Sequence, residues 1–126
     1  MYPIQETIIF AENEILEPRF QVKFLEEAKE FLDKLDDKTR EKIFYNIWKS
    51  TSINDKELFK KLEGEIWEFR TTYNKISFRL FAFWDKSENS IVLATHGLIK
   101  KTNKTPKKEI VKAEKLRIEY LKTKKS

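Results

Sequence analysis

The chain changes rhythm twice. A short β-prone run, Thr7-Ile8-Ile9-Phe10-Ala11, predicts a first strand, and Pro18 then punctuates the chain. Val22, Leu25, Ala28, Phe31, Leu32 and Leu35 recur three and four apart, which predicts an amphipathic helix over about 20–35. Asp36-Asp37 stands where a new helix needs an N-cap. Ile43 with Ile47, and Phe44 with Trp48, make two i,i+4 apolar pairs and predict a second helix over about 38–52. The turn between the two is so short that they read as an antiparallel αα-hairpin.

After Gly64 the pattern becomes strand-like. Ile66 to Tyr73 is rich in aromatic and β-branched residues, Asn74-Lys75 is a turn signal, and Ile76 to Trp84 is a long second strand. A polar stretch from Asp85 to Asn89 leads into a third, Ser90 to Gly97. Short loops between consecutive strands favour an antiparallel meander. Thr105-Pro106 then reads as an N-cap with Pro at N1, opening a C-terminal helix over about 106–122 through Ile110, Ala113, Leu116 or Arg117, and Tyr120.

The order is β-α-α-β-β-β-α, an α+β class with an N-terminal strand, an αα-hairpin, a three-stranded meander and a C-terminal helix. The hairpin is expected to cover one face of the sheet, with Trp67, Phe69, Phe78, Leu80, Phe81 and Phe83 mostly in the core. One domain over 1–126 fits the length, with a basic tail at about 122–126. Although 37% of residues are charged, ten Phe, three Trp and four Tyr supply enough apolar surface to argue against disorder.

Composition also removes chemistries. Without Cys there is no disulfide framework, thiolate nucleophile or Cys-based metal site. With Gly only at 64 and 97, neither Gly-rich phosphate-loop motif can form, and no Ser sits in GxSxG. One His makes no acid–base His pair, and the absence of HExxH and of carboxylates at ligand spacing predicts no metal site. Met1 to Phe10 has no Lys or Arg and only a short apolar run, and no window approaches the ~18 apolar residues of a membrane span. The expectation is a soluble, cytoplasmic protein with no membrane partner.

Charge is unevenly placed. Residues 1–99 hold 15 Lys/Arg against 18 Asp/Glu, whereas residues 100–126 hold 11 Lys/Arg against 3 Glu. A basic end on a near-neutral body suits a polyanion such as RNA, DNA or an acidic protein, and equally a solvated tail. Arg70 and Arg79 interrupt two of the most apolar segments. Each either reaches an open face, pairs with Glu68 or Glu65, or meets a bound anion. On adjacent strands, beside Lys60-Lys61 and Lys100-Lys101, they would converge into a phosphate site.

Phe59-Lys60-Lys61-Leu62-Glu63-Gly64-Glu65-Ile66-Trp67-Glu68-Phe69-Arg70 resembles the K-x-L-x-G-x-L-W-E-L-R segment of RelE/HigB-type toxins of bacterial type II toxin–antitoxin systems. Ile76-Ser77-Phe78-Arg79-Leu80-Phe81 looks like the same family's Y-R-x-x-Y/F. Ile91 to Pro106 is similar to V-L-L-H-G-F-x-K-K-T-x-K-T-P, and Glu109-Ile110 with Ala113 matches the E-I-x-x-A that opens the last helix. The phage-derived HigB-like branch of the RelE/ParE superfamily fits best, closely over about 59–120, while the αα-hairpin agrees only in pattern.

The resemblance implies a RelE-like fold and a metal-independent, cofactor-free, ribosome-dependent mRNA endonuclease that inhibits translation. A cognate antitoxin carrying a helix-turn-helix domain would neutralise it. Carried over by residue, Arg79 is the transition-state clamp on the scissile phosphate, and Arg70 is a second phosphate contact or a structural Arg. Lys100 and Lys101 bind phosphate, one of them shuttling a proton. His96 matches a position where the family has His or another residue; by pattern alone it faces either way, as a catalytic group or a satisfied core residue. Lys60 and Lys61 hold RNA or form a solvated loop pair, and Lys104, Lys107, Lys108, Lys112 and Lys115 would meet ribosomal RNA. A Tyr or a distal acidic or His residue that several relatives place near the C-terminus has no counterpart at Pro106-Lys107-Lys108, so the general acid is unassigned. A ParE-like gyrase-targeting toxin and a non-enzymatic nucleic-acid-binding module are the competing readings.

Overall fold

The computed structural model describes residues 8–10, 14–16, 18–88, 90–100 and 104–125. Strands β1 (Ile8–Phe10) and β2 (Glu14–Leu16) pair antiparallel as a ribbon of their own. Strand β3 (Gln21–Phe24) leads into helices α1 (Glu26–Asp33) and α2 (Asp37–Ser52). Strands β4 (Phe59–Glu63), β5 (Ile66–Tyr73), β6 (Ile76–Asp85) and β7 (Ile91–Lys100) follow, and then helix α3 (Lys107–Lys125). The main sheet has the order β3-β7-β6-β5-β4, antiparallel except that β3 runs parallel to β7.

The α+β arrangement is as expected, with three refinements: the N-terminal strand gains a partner, β2, in a ribbon separate from the main sheet, and two more follow. The first helix begins at Glu26, because residues 21–24 are a strand: Val22 is buried and Gln21 and Lys23 are exposed, a period of two. Val22 fits the helical spacing and the strand alternation equally well, and the pairing partner lies 70 residues downstream at Val92. The meander gains a strand, since Lys60 and Lys61 lie on β4 and not ahead of the sheet.

Local chemistry explains the helical hairpin. Asp36 caps α2 by accepting from the Thr39 N–H at 2.8 Å, as predicted from its position. Arg40 then reaches back and donates to the Leu32 and Leu35 carbonyls, tying α2 to the end of α1. On the strand side, Asn74 and Lys75 both take positive φ, which gives the two-residue β5–β6 turn a twist that suits a hairpin.

The sheet buries its two faces differently. Phe59, Phe69, Phe78, Leu80, Ala82, Val92 and Ala94 join Ala28, Leu32, Ile43, Ile47 and Trp48 in one core beneath α1 and α2. Gly97 is required here: a Cβ would fall 2.2 Å from the Phe31 ring. The opposite face buries Ile66, Phe81, Phe83 and Leu93 against Ala113 of α3, with Ile110 and Tyr120 packed alongside.

Candidate active site

The face that packs on α3 is apolar along only part of its area. Register decides which residues share the remainder. Arg70 lies opposite Arg79, Glu68 opposite Phe81 and also opposite Lys60, and Ser77 opposite Lys100. Cross-strand partners project to the same side, so four adjacent strands contribute Lys60, Glu68, Arg70, Arg79 and Lys100 to one surface. A β-bulge after Phe81 inserts Thr95 as an extra residue in β7 and shifts the alternation that follows. Without it, Thr95, Gly97 and Ile99 would continue the side begun by Leu93. With it, His96, Leu98 and Lys100 take that side.

Glu68 is the hub and is 2% exposed, with Arg79 at 4% and Lys100 at 7%. Its Oε1 lies 3.4 Å from Arg79 Nε and 3.6 Å from Arg70 Nε. Both Nε atoms are buried and make no hydrogen bond among the described residues, so these are charge contacts with donor capacity in reserve. Arg79 also donates to the Phe78 carbonyl, and Arg70 leans towards Glu57 at 3.9 Å. The Thr105 hydroxyl accepts from Lys100 Nζ at 3.2 Å and donates to Glu68 Oε2 at 3.1 Å. It therefore ties the approach to α3 to the sheet, and α3 itself starts at Lys107.

Electrostatics follow from this packing. Burial depresses the proton affinity of the Arg79 guanidinium, Glu68 opposes that, and Arg70 reinforces it; an Arg nonetheless stays charged. Burial likewise lowers Lys100 from the ordinary lysine value; Glu68 resists, while Arg79, Arg70 and Lys60 push the same way as burial. A lysine so placed can part with a proton more readily than one in water.

Two hollows open beside the cluster. One of about 280 Å³ is lined by Lys60, Lys61, Glu63, Glu68, Arg70 and Thr105 among others. The second, about 200 Å³, is lined by Asn46, Glu57, Leu58, Arg70, Thr72 and Arg79. Arg70 borders both. The arrangement offers several cations, two of them with unused buried donors, beside space open to a ligand, which suits a phosphodiester.

Of the residues singled out from sequence, Arg70, Arg79 and Lys100 come together, with Lys60 and Lys61 on the wall of the larger hollow. Lys101 lies outside the described residues. Lys104 and Lys108 are exposed, and Lys107, also exposed, reaches Glu63 at 3.8 Å. His96 sits elsewhere on the same face, four residues along β7 from Lys100 and thus about 13 Å away by strand rise. Its Nε2 contacts Glu109 of α3 at 3.0 Å, its Nδ1 contacts the Thr95 hydroxyl at 2.9 Å, and its ring stacks on Phe81. Burial, opposed by Glu109, keeps its pKa below the usual histidine value.

Sequence reasoning treated Glu68 only as a structural partner of Arg and Thr105 only as a cap. The signal for Glu68 was its i,i+2 spacing from Arg70 on a strand. Arg70 and Arg79 are also equidistant from the Asn74-Lys75 turn, which fixes their pairing. Thr105 gave no such signal, because its role depends on where the chain crosses the sheet.

No helix among the described residues is long and apolar enough to cross a membrane. Residues 30–117, more than two thirds of the chain, match the family described as Phage derived protein Gp49-like (DUF891). No curated protein matches the chain.

Proposed function

Because this chain belongs to the Gp49-like family of phage-derived proteins, a toxin-like family associated with toxin–antitoxin pairs, we propose that it is a type II toxin that cleaves mRNA on the ribosome. The observation that carries this reading is the convergence of Arg70, Arg79 and Lys100 from three adjacent strands, with Arg70 bordering two hollows and Arg79 one of them. Cleaving RNA without a metal requires a base for the 2′-OH, cations for charge that builds on phosphorus, and an acid for the 5′-oxygen. Arg79 serves as the permanent clamp and Arg70 as a second phosphate contact. Lys100, with its lowered proton affinity, is suited to proton transfer. Lys60, Lys61 and Lys101, and the exposed Lys104, Lys107 and Lys108, guide message and ribosomal RNA to the face.

The family implies an antitoxin partner, which we take to be a helix-turn-helix protein acting in the cytoplasm. The test is induction of the chain in a bacterial host, with 5′-end mapping of a reporter mRNA. Cuts inside translated codons that disappear when initiation is blocked are the expected outcome. Growth arrest with intact message would move the target to gyrase or another essential component, and would end the nuclease reading.

A further inference from the structure

We infer that Glu68 is the general base of this cleavage, accepting the 2′-OH proton from the floor of the hollow lined by Lys60, Lys61, Arg70 and Thr105. The inference rests on the ribonuclease reading above and adds the reacting group that reading leaves open.

The argument begins with what the cluster contains. Its charged members are Lys60 on β4, Glu68 and Arg70 on β5, Arg79 on β6 and Lys100 on β7, with Glu57 beyond Arg70 and the Thr105 hydroxyl ahead of α3. Among the described residues Glu68 is the carboxylate that Arg70, Arg79 and Thr105 all approach, and it borders the hollow. The hydrogen-bond direction also fits. Lys100 donates to Thr105, which donates to Glu68, the pattern of an ammonium and a carboxylate with a hydroxyl between them.

A buried carboxylate needed only for structure would have its partners drawn into good hydrogen bonds. Here two buried guanidinium N–H groups lie 3.4 and 3.6 Å away without making them. An arriving phosphate can take up those donors. It then shares the cations that neutralise Glu68, and the carboxylate becomes a better acceptor at the moment a proton must leave the 2′-oxygen.

The step balances with groups in place. A Glu68 oxygen takes the 2′-OH proton as the 2′-oxygen bonds to phosphorus. The bond from phosphorus to the 5′-oxygen breaks, and that oxygen takes a proton from the Lys100 ammonium. The products are a 2′,3′-cyclic phosphate and a 5′-hydroxyl, leaving a neutral carboxyl and a neutral amine. The Thr105 hydroxyl lies between them and returns the proton from Glu68 to Lys100.

The test uses the full chain on ribosomes programmed with a single-site message, and compares wild type, Glu68→Gln and Glu68→Asp in single-turnover cleavage from pH 5.5 to 9. Binding is measured with the same message carrying a 2′-deoxy nucleotide at the scissile position. Glu68→Gln is expected to slow cleavage by about 10²–10⁴-fold across that range. Its binding should hold or tighten, because a negative charge has left the phosphate site. Glu68→Asp, which keeps a carboxylate, should recover part of the rate, and it carries the test if Glu68→Gln does not fold. Replacing the leaving 5′-oxygen by sulfur, which departs without a proton, should rescue Lys100→Ala but not Glu68→Gln. Wild-type cleavage with Glu68→Gln within about fivefold of it overturns the inference alone. Loss of binding in Glu68→Gln would make Glu68 a positioning residue for the arginines and also overturn it. Failure of the wild type to cleave removes the nuclease reading, and the inference with it.

Discussion

Two buried carboxylates on one face of the sheet have opposite surroundings. Asp85, at the end of β6, accepts from the Ser87 backbone and hydroxyl at 3.0 and 2.7 Å and from Tyr120 at 2.7 Å. Lys124 bridges it to Glu88. Burial disfavours its charge, but the hydrogen bonds from Lys124, Ser87 and Tyr120 win and hold its pKa well below the ordinary carboxylate range. Glu68, on the adjacent strand β5, has among the described residues one hydroxyl donor and two guanidinium groups that lie near it without hydrogen-bonding. Satisfied polar groups lock a structure. Those left short beside open space keep capacity for something else. On this comparison Asp85 fastens the C-terminal end of α3, and the Glu68 cluster keeps the donor capacity that the proposed phosphate site requires.

The comparison breaks first at Arg79. Arg79→Ala should lose about 10²–10³-fold in cleavage, or roughly 3–4 kcal/mol of transition-state stabilisation, and expressing cells should grow. Arg79→Lys should restore little, because a point charge does not replace a planar fork. A folded Arg79→Ala protein that still arrests growth would remove Arg79 from the site. Next is Asp85→Ala, which takes the acceptor from Tyr120 and Ser87 and leaves Lys124 with Glu88; it should cost about 1–3 kcal/mol of stability, read from denaturant midpoints, with cleavage per folded molecule unchanged.

The same residue gives a pH dependence with a fixed sign. A carboxyl whose folded pKa lies below its unfolded 3.8 contributes stability at neutral pH. That contribution declines as pH falls through the ordinary carboxylate range towards the lower folded value. Asp85→Asn should therefore flatten the acid limb of the stability curve, and an unchanged limb would show that other carboxylates set it.

Gly97→Ala is the next smaller change. The added methyl meets the Phe31 ring far inside contact distance, so α1 must shift on the sheet at a cost of about 1–3 kcal/mol. Thermal melting would read this, and an unchanged melting temperature would mean that α1 yields freely.

Features set by neighbours in the chain were legible in the sequence. The Asn74-Lys75 turn, the Asp36 cap and the aromatic strands were readable because each depends on neighbours in the chain. From the turn, the Arg70–Arg79 pairing follows by counting. Three features were not readable. The strand at 21–24 needs a parallel partner in β7, far along the chain. The side taken by His96 and Lys100 depends on the bulge at Thr95, and a one-residue insertion reverses every side chain after it. The strand character of Lys60-Lys61 is masked by charge, since an edge strand with one buried residue, Phe59, shows little apolar alternation.

His96 tests the comparison most gently. It joins β7 to α3 through Glu109, as Asp85 joins β6 to α3 through Tyr120 and Lys124. If it belongs with Asp85 and not with Glu68, its replacement should change stability and leave chemistry alone. Burial lowers its folded pKa below the unfolded 6.5 against the pull of Glu109. The unfolded chain therefore binds a proton first, and stability falls as pH drops below about 6.5, by no more than about 1.4 kcal/mol per pH unit for one proton. His96→Gln keeps an amide for Glu109 and has nothing to titrate, so it should remove that slope while cleavage at pH 8 stays within about twofold of wild type. A large cleavage defect with the slope retained would put His96 into the reaction and shift the division between fastening and reacting groups along β7.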